Sequence, residues 1–199
     1  MNNYVRIFTV LLPTVWATST IAQRSFKDSV NLKHDKITKT GLLALSAWSV
    51  SSIILGAQKA TGTDRYFNRS NVLWGSVNLG IAQTGYWLLR RKAGKKYTAE
   101  KTFQRTETTE KLFLFNTGLD LAYVAYGLYN RERALRYTGD RRDRLRGSGK
   151  SLVVQGSFLT LFDGVLYLMH NKNGNRLNAD GGKLYLSTGE EGVGLKYRL

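Results

Sequence analysis

The sequence predicts an all-α fold: a bundle of four transmembrane helices followed by a short C-terminal β-hairpin. Three observations lead there. Stretches 40–58, 70–89, 112–130 and 151–171 are almost free of charge. Each is close to the roughly 20 apolar residues a helix needs to cross a hydrocarbon core about 30 Å thick. The segments between them are strongly basic, so the mean hydropathy of −0.29 averages over two unlike kinds of sequence. Segregation matters more than the average, because one Lys or Arg at a helix centre costs about 2.5–3.5 kcal/mol on the insertion scale.

Taken in order, residues 1–22 read as a secretory signal. A short leader ends in Arg6, an apolar run covers 7–17, and Thr18, Ser19 and Thr20 lead to a cleavage point at Ala22. An uncleaved anchor is the alternative. A polar segment, 23–39, is expected to be extended or lightly helical. The membrane domain then covers 40–171. Its first connection is expected at 61–69, where Gly62 and Asn68 mark a turn, and its second at 90–111, where 98–111 suits a surface helix running into the third span. The third is expected at 140–149, where glycines and arginines break the chain. A tail, 172–199, begins as a loop rich in Asn and Gly. It ends in two period-two segments around Gly189-Glu190-Glu191-Gly192, which suits a hairpin. An outer-membrane barrel does not fit, because the earlier spans lack ten-residue alternation.

Composition excludes several functions. Without cysteine there are no disulfides, thiolate chemistry or Cys-bound metals. The formal charge of +16 invites a nucleic-acid reading. No DNA- or RNA-binding signature accompanies it, and the basic residues flank apolar spans, so no nucleic acid is expected. Lys and Arg beside a bilayer contact anionic headgroups, at about 1 kcal/mol each. No Ser, His and acid arrangement suggests a nucleophile, and Gly147-Ser148-Gly149-Lys150-Ser151 lacks the spacing and preceding strand of a phosphate loop. His34 and His170 have no partners at ligand spacing, and each is expected to meet headgroups or a helix-end carbonyl. No catalytic residue, cofactor or metal is therefore expected. Trp48, Trp74 and Trp87 are expected in interfacial belts.

Helical spacing gathers the polar residues of each span onto one face. Asn71, Gly75, Asn78, Ala82 and Gly85 form the row of the second span, and Asn116, Asp120, Tyr123 and Gly127 that of the third. Gly156, Thr160, Asp163, Tyr167 and His170 form the row of the fourth. Small residues admit close approach and polar ones bond across it, so the rows should face one another. The expected intramembrane network is Asn78, Asn116, Asp120, Gln155, Asp163 and Tyr167. Counted from the connection they share at about 1.5 Å per residue, Asp120 and Asp163 lie roughly 15 and 18 Å deep. Two close carboxyl groups there can share one proton, and an intramembrane acid is a functional candidate by default.

Arg65-Tyr66-Phe67 leading to Asn71, with Leu73-Trp74 and the run 77–82, resembles a family of uncharacterised four-helix integral membrane proteins of Bacteroidetes. Residues 116–129 and 155–163 are similar to its second half. The resemblance covers 41–171, departs at Asn68 and Gly75, and implies an architecture and a membrane location without an activity. The expected protein is a multi-pass component of a bacterial inner membrane, non-enzymatic, acting as a structural or interaction subunit. Its partners would be the lipid bilayer, anionic headgroups at the basic loops, and a protein partner or second copy. The rival reading is a small transporter, channel or proton-linked sensor using Asp120 and Asp163. The basic segments 90–111 and 131–150 fall on opposite sides of the membrane, so the positive-inside rule does not choose an orientation.

Overall fold

A computed structural model describes the backbone of residues 4–180, 184–189 and 192–197, and the side chains of 26–177. Four helices dominate it: α1 (Tyr4–Gly56), α2 (Gly62–Lys92), α3 (Ala99–Ala134) and α4 (Gly139–Asp180). The backbone of Leu184–Gly189 and Gly192–Tyr197 pairs antiparallel. The side chains of the expected hairpin lie outside the described residues, as do those of the expected leader.

The helices are longer than the apolar stretches that predicted them. The polar segment 23–39 is helical and continuous with the first span. Residues 62–69 belong to the first turns of α2, and 140–149 to those of α4; Asn173 and Gly174 lie inside α4. Each of these segments was expected as turn, loop or loose polar chain. They are helical because their charged side chains can point outward while one face packs inward, through Val30, Asn31, His34 and Ile37 in α1 and Gly147 and Gly149 in α4. The real connections are short: 57–61, 93–98 and 135–138. Gly94 (φ +77°) and Gly139 (φ +60°) adopt the left-handed backbone that reverses the chain at the second and third. The Thr98 hydroxyl accepts from Lys101 N at 3.2 Å and caps α3. Arg90, Arg91 and Lys92 in the last turn of α2 complement its dipole.

Successive helices run antiparallel, and α4 packs against the other three. Side-chain-free surfaces set the register. A Cβ on Gly75 would lie 2.8 Å from the Ser49 carbonyl, and one on Gly127 would lie 2.7 Å from the Gly149 carbonyl. Gly85 sits against Leu42, and Gly41 against Leu166. These contacts bring the four apolar stretches to the same height. By contrast, no Cα of α2 comes within 8 Å of one in α3. The bundle is closed on three sides and split on the fourth.

Of the four expected spans, two meet the length and hydropathy of a membrane-crossing helix: Phe26–Gly56 and Gly139–Leu177. α2 and α3 fall short. Their central turns carry Asn71, Asn78 and Gln83, and Asn116, Thr117 and Asp120, and these dilute the Leu, Val and Phe around them. The multi-pass expectation is corrected to that extent.

The interior is mostly polar. A small apolar core of Leu45, Ala82 and Leu159 is joined by Phe158 and Phe162. Around it are buried Asn71, Asn78, Asp120, Gln155 and Asp163. Leu73, Leu114, Phe115, Leu121, Leu161, Val165 and Leu168 all face outward, while the exposed Val77 and Ile81 line the gap between α2 and α3.

Candidate functional site

The polar interior divides into three groups along the bundle. The first lies toward the α1–α2 connection. Trp48 Nε1 donates to Gln155 Oε1 at 2.8 Å. Gln155 Nε2 donates to Ser52 Oγ at 3.1 Å and Asn71 Oδ1 at 3.0 Å. Ser151 Oγ adds a bond to the same Asn71 oxygen at 2.8 Å. This ties α1, α2 and α4 through one amide that is 2% exposed. Trp48 also stacks on Phe158, ring centroids 3.8 Å apart. It is half-buried, and its indole N–H has a buried acceptor.

The second group lies mid-bundle. Asp120 and Asp163 bring their carboxyl groups together across α3 and α4, and Asn116 reaches Asp163. Asn78 faces the same space from α2. Asn78 Nδ2 and Asp120 Oδ2 are buried and have no hydrogen-bond partner among the described residues. Such groups are costly, and each points to a local role.

These findings split the expected network. Asn78, Asn116, Asp120 and Asp163 assemble in one group. Gln155 lies two turns away and joins Asn71 in another. Tyr167 is half-buried and makes no hydrogen bond among the described residues, so it takes part in neither. Its place in the α4 row was read from helical spacing alone, and spacing does not say whether an acceptor stands opposite. Ser52 and Ser151 were not expected. Ser151 lies one helical turn before Gln155, a spacing that could have found it, whereas no inward row was read for the first span and Ser52 had no such signal.

The third group lies at and beyond the end of the apolar stretches, where α1, α3 and α4 extend. His34 and His170 are both buried, with ring centroids 4.5 Å apart. His34 Nε2 meets Thr109 Oγ1 at 3.1 Å, and His170 Nε2 meets Thr38 Oγ1 at 3.4 Å. The expectation of two unrelated histidines at helix ends is thereby corrected, since packing brings together rings 136 positions apart (170 minus 34). Asn31 Nδ2 donates to Thr102 Oγ1 at 2.8 Å, and Asn173 Nδ2 to the Val30 carbonyl at 3.0 Å. Arg105 pairs with Asp35 at the edge of this group.

A cavity of about 1000 Å³ opens through the gap between α2 and α3 and connects the second group to the third. Its upper end is bridged by Trp74 and Tyr123, ring centroids 5.1 Å apart. Trp74 thus closes a cleft, where an interfacial position was expected. The wall below is apolar, with Leu42, Ile81, Leu88, Leu112, Phe113 and Leu166. The lower mouth carries Lys92, Lys95, Lys101 and Arg105. Among the described residues, no group of three or more His, Cys, Asp or Glu side chains is placed to hold a metal.

The profile of a family of unknown function, DUF6992, matches residues 44–164. The chain belongs to that family. The match includes Asn71, Asn78, Asn116, Asp120, Gln155 and Asp163, and leaves His34, Tyr167 and His170 outside it. No curated protein and no solved structure matches the chain.

Proposed function

We propose that this chain is a membrane-embedded structural or interaction component, a scaffold or accessory subunit without enzymatic activity, resident in a bacterial inner membrane. Its buried polar rows serve to fix which helices pair and at what height. One observation carries the reading: the polarity of the bundle is inverted across its middle. Asp120 is 5% exposed and Gln155 2%, while Leu161 is 72% exposed and Phe115 64%. Water-soluble monomers rarely expose contiguous apolar patches beyond a few hundred Å². Here the outward Leu, Val and Phe of all four helices form one belt at a common height. In a bilayer the apolar coat is solvated by lipid, and close-packed small residues and interhelical amides hold the bundle. The basic residues at both ends of the belt suit anionic headgroups.

The test is fractionation. The chain should remain with membranes through alkaline carbonate washing and require detergent for a monodisperse preparation. Compartment reporters at Lys101 and Arg142 should report opposite sides, since the two residues lie beyond opposite ends of the belt. Recovery in the aqueous fraction without detergent would remove the proposal.

A second reading is favoured by the cavity reaching Asp120 and Asp163. In it the chain is a small transporter or channel that handles protons or cations at that pair. Reconstituted vesicles would then show a flux that Asp163→Asn abolishes without loss of folded protein. Equal flux in both would leave the structural reading alone.

A further inference from the structure

We infer that the cleft between α2 and α3 is a binding groove for an anionic phospholipid drawn sideways from the bilayer. The headgroup would sit at Lys92, Lys95 and Lys101, and an acyl chain along the apolar wall. This rests on the membrane reading above and adds to it a ligand class and a site.

Charge complementarity selects the headgroup. Lys92, Lys95 and Lys101 converge on the lower mouth from α2, the α2–α3 connection and α3, and none has an ion-pair partner among the described residues. The fourth cation there, Arg105, is already paired with Asp35 and shapes the mouth from below. Three free ammonium groups at one opening suit a phosphate, and at the belt's edge they stand where lipid phosphates stand.

Dimensions select the chain. From Leu89 up to Asn78 the α2 wall rises about 16 Å at 1.5 Å per residue. That is close to half of a hydrocarbon core about 30 Å thick. A chain from one leaflet would fill the apolar wall and end where Asn78 and Asp120 begin. The volume of about 1000 Å³ is at the upper end of ordinary ligand sites, about 300–1,000 Å³. The opening is lateral, because the α2 and α3 backbones stay apart along their whole length. A lipid can therefore enter without leaving the membrane.

The experiment uses the full chain purified in a nonionic detergent. It is exchanged with dioleoyl phosphatidylglycerol or dioleoyl phosphatidylcholine and read by native mass spectrometry for retained lipid. Phosphatidylglycerol should be retained about tenfold more strongly than phosphatidylcholine, and K92Q/K95Q/K101Q should abolish the preference. Ile81→Trp keeps every charge and obstructs the wall, and it should reduce retention of both lipids. Ile81 is exposed, so this variant should fold.

Equal retention of the two lipids would overturn the headgroup assignment. Unchanged retention in Ile81→Trp would overturn the groove, as would an equal loss in R141Q/R142Q/R144Q at the opposite end of the bundle. A lipid-free dimer that Ile81→Trp splits would assign the cleft to a second copy instead. A chain that needs no detergent fails the membrane reading itself. A detergent-requiring chain without lipid preference fails this inference alone.

Discussion

The belt half of the bundle and its α1–α3–α4 extension have similar interiors and opposite exteriors. In the belt, Asn71 and Gln155 bond inside a coat of Leu, Val and Phe. In the extension, Asn31, Thr102, His34, His170 and Asn173 are buried beneath Lys33, Lys36, Lys101 and Lys172, all exposed. A polar interior therefore does not distinguish the regions; the coat does. Similar hydrogen-bonded rows thus lie beneath an apolar coat in one region and a charged coat in the other. On the membrane reading proposed above, the coat says which solvent surrounds each part.

The sharpest way to break this comparison is to place one charge on each coat. Leu161 in the belt and Leu32 in the extension are equally exposed, at 72% and 71%. Leu161→Arg should cost about 3 kcal/mol of membrane insertion, and Leu32→Arg close to nothing. Membrane-integrated yield checks both, and equal tolerance would erase the distinction.

Next in size is the α3–α4 contact within the belt. A Cβ on Gly149 would fall 2.6 Å from the Gly127 carbonyl, where backbone must move. Gly149→Leu should lower stability in detergent by about 1–3 kcal/mol, read from thermal unfolding. Gly80→Leu is the control, because a Cβ there meets nothing within 4 Å.

Removing the amide that ties three helices should have a smaller effect. Gln155→Leu leaves the Trp48 N–H without its acceptor and costs about 1–2 kcal/mol. The same unfolding measurement reads it, together with a changed Trp emission. Smallest is Arg105→Gln in the extension. Its pair with Asp35 is partly open to solvent, so the loss should stay about 1 kcal/mol and shrink as salt rises. Salt-independent loss would mean that the extension is as dry as the belt.

How far the sequence could be read varies from residue to residue. The inward row of α2 was legible in full to Ala82. Asn71, Gly75, Asn78 and Ala82 follow helical spacing, and all four are buried. The start of α3 was legible, because 98–111 reads as a helix running into the third span and α3 begins at Ala99. The starts of the inward-packed turns at 23–39 and 140–149 were not, because their many charged residues hide the face that packs inward. Asp120 and Asp163 could be placed at one depth from their distances to a shared connection. Gln155 was assigned to their group as an amide able to bond a buried carboxyl. Its actual partner, Asn71, stands on another helix, and no spacing within α4 reports that. Tyr167 was included from its helical spacing to Asp163, and it makes no hydrogen bond among the described residues.

Local sequence pattern sets the count of helices, the face that α2, α3 and α4 turn inward and the height of the charge-free band. These follow from the 3.6-residue period and from segregation of charge, both local properties. Tertiary structure alone decided which amide bonds which, that His34 meets His170, and that α2 stands clear of α3. Those facts depend on how rotations about separate helix axes combine. Rotation is set by side-chain volumes and small-residue contacts between helices distant in the chain, which no single helix encodes.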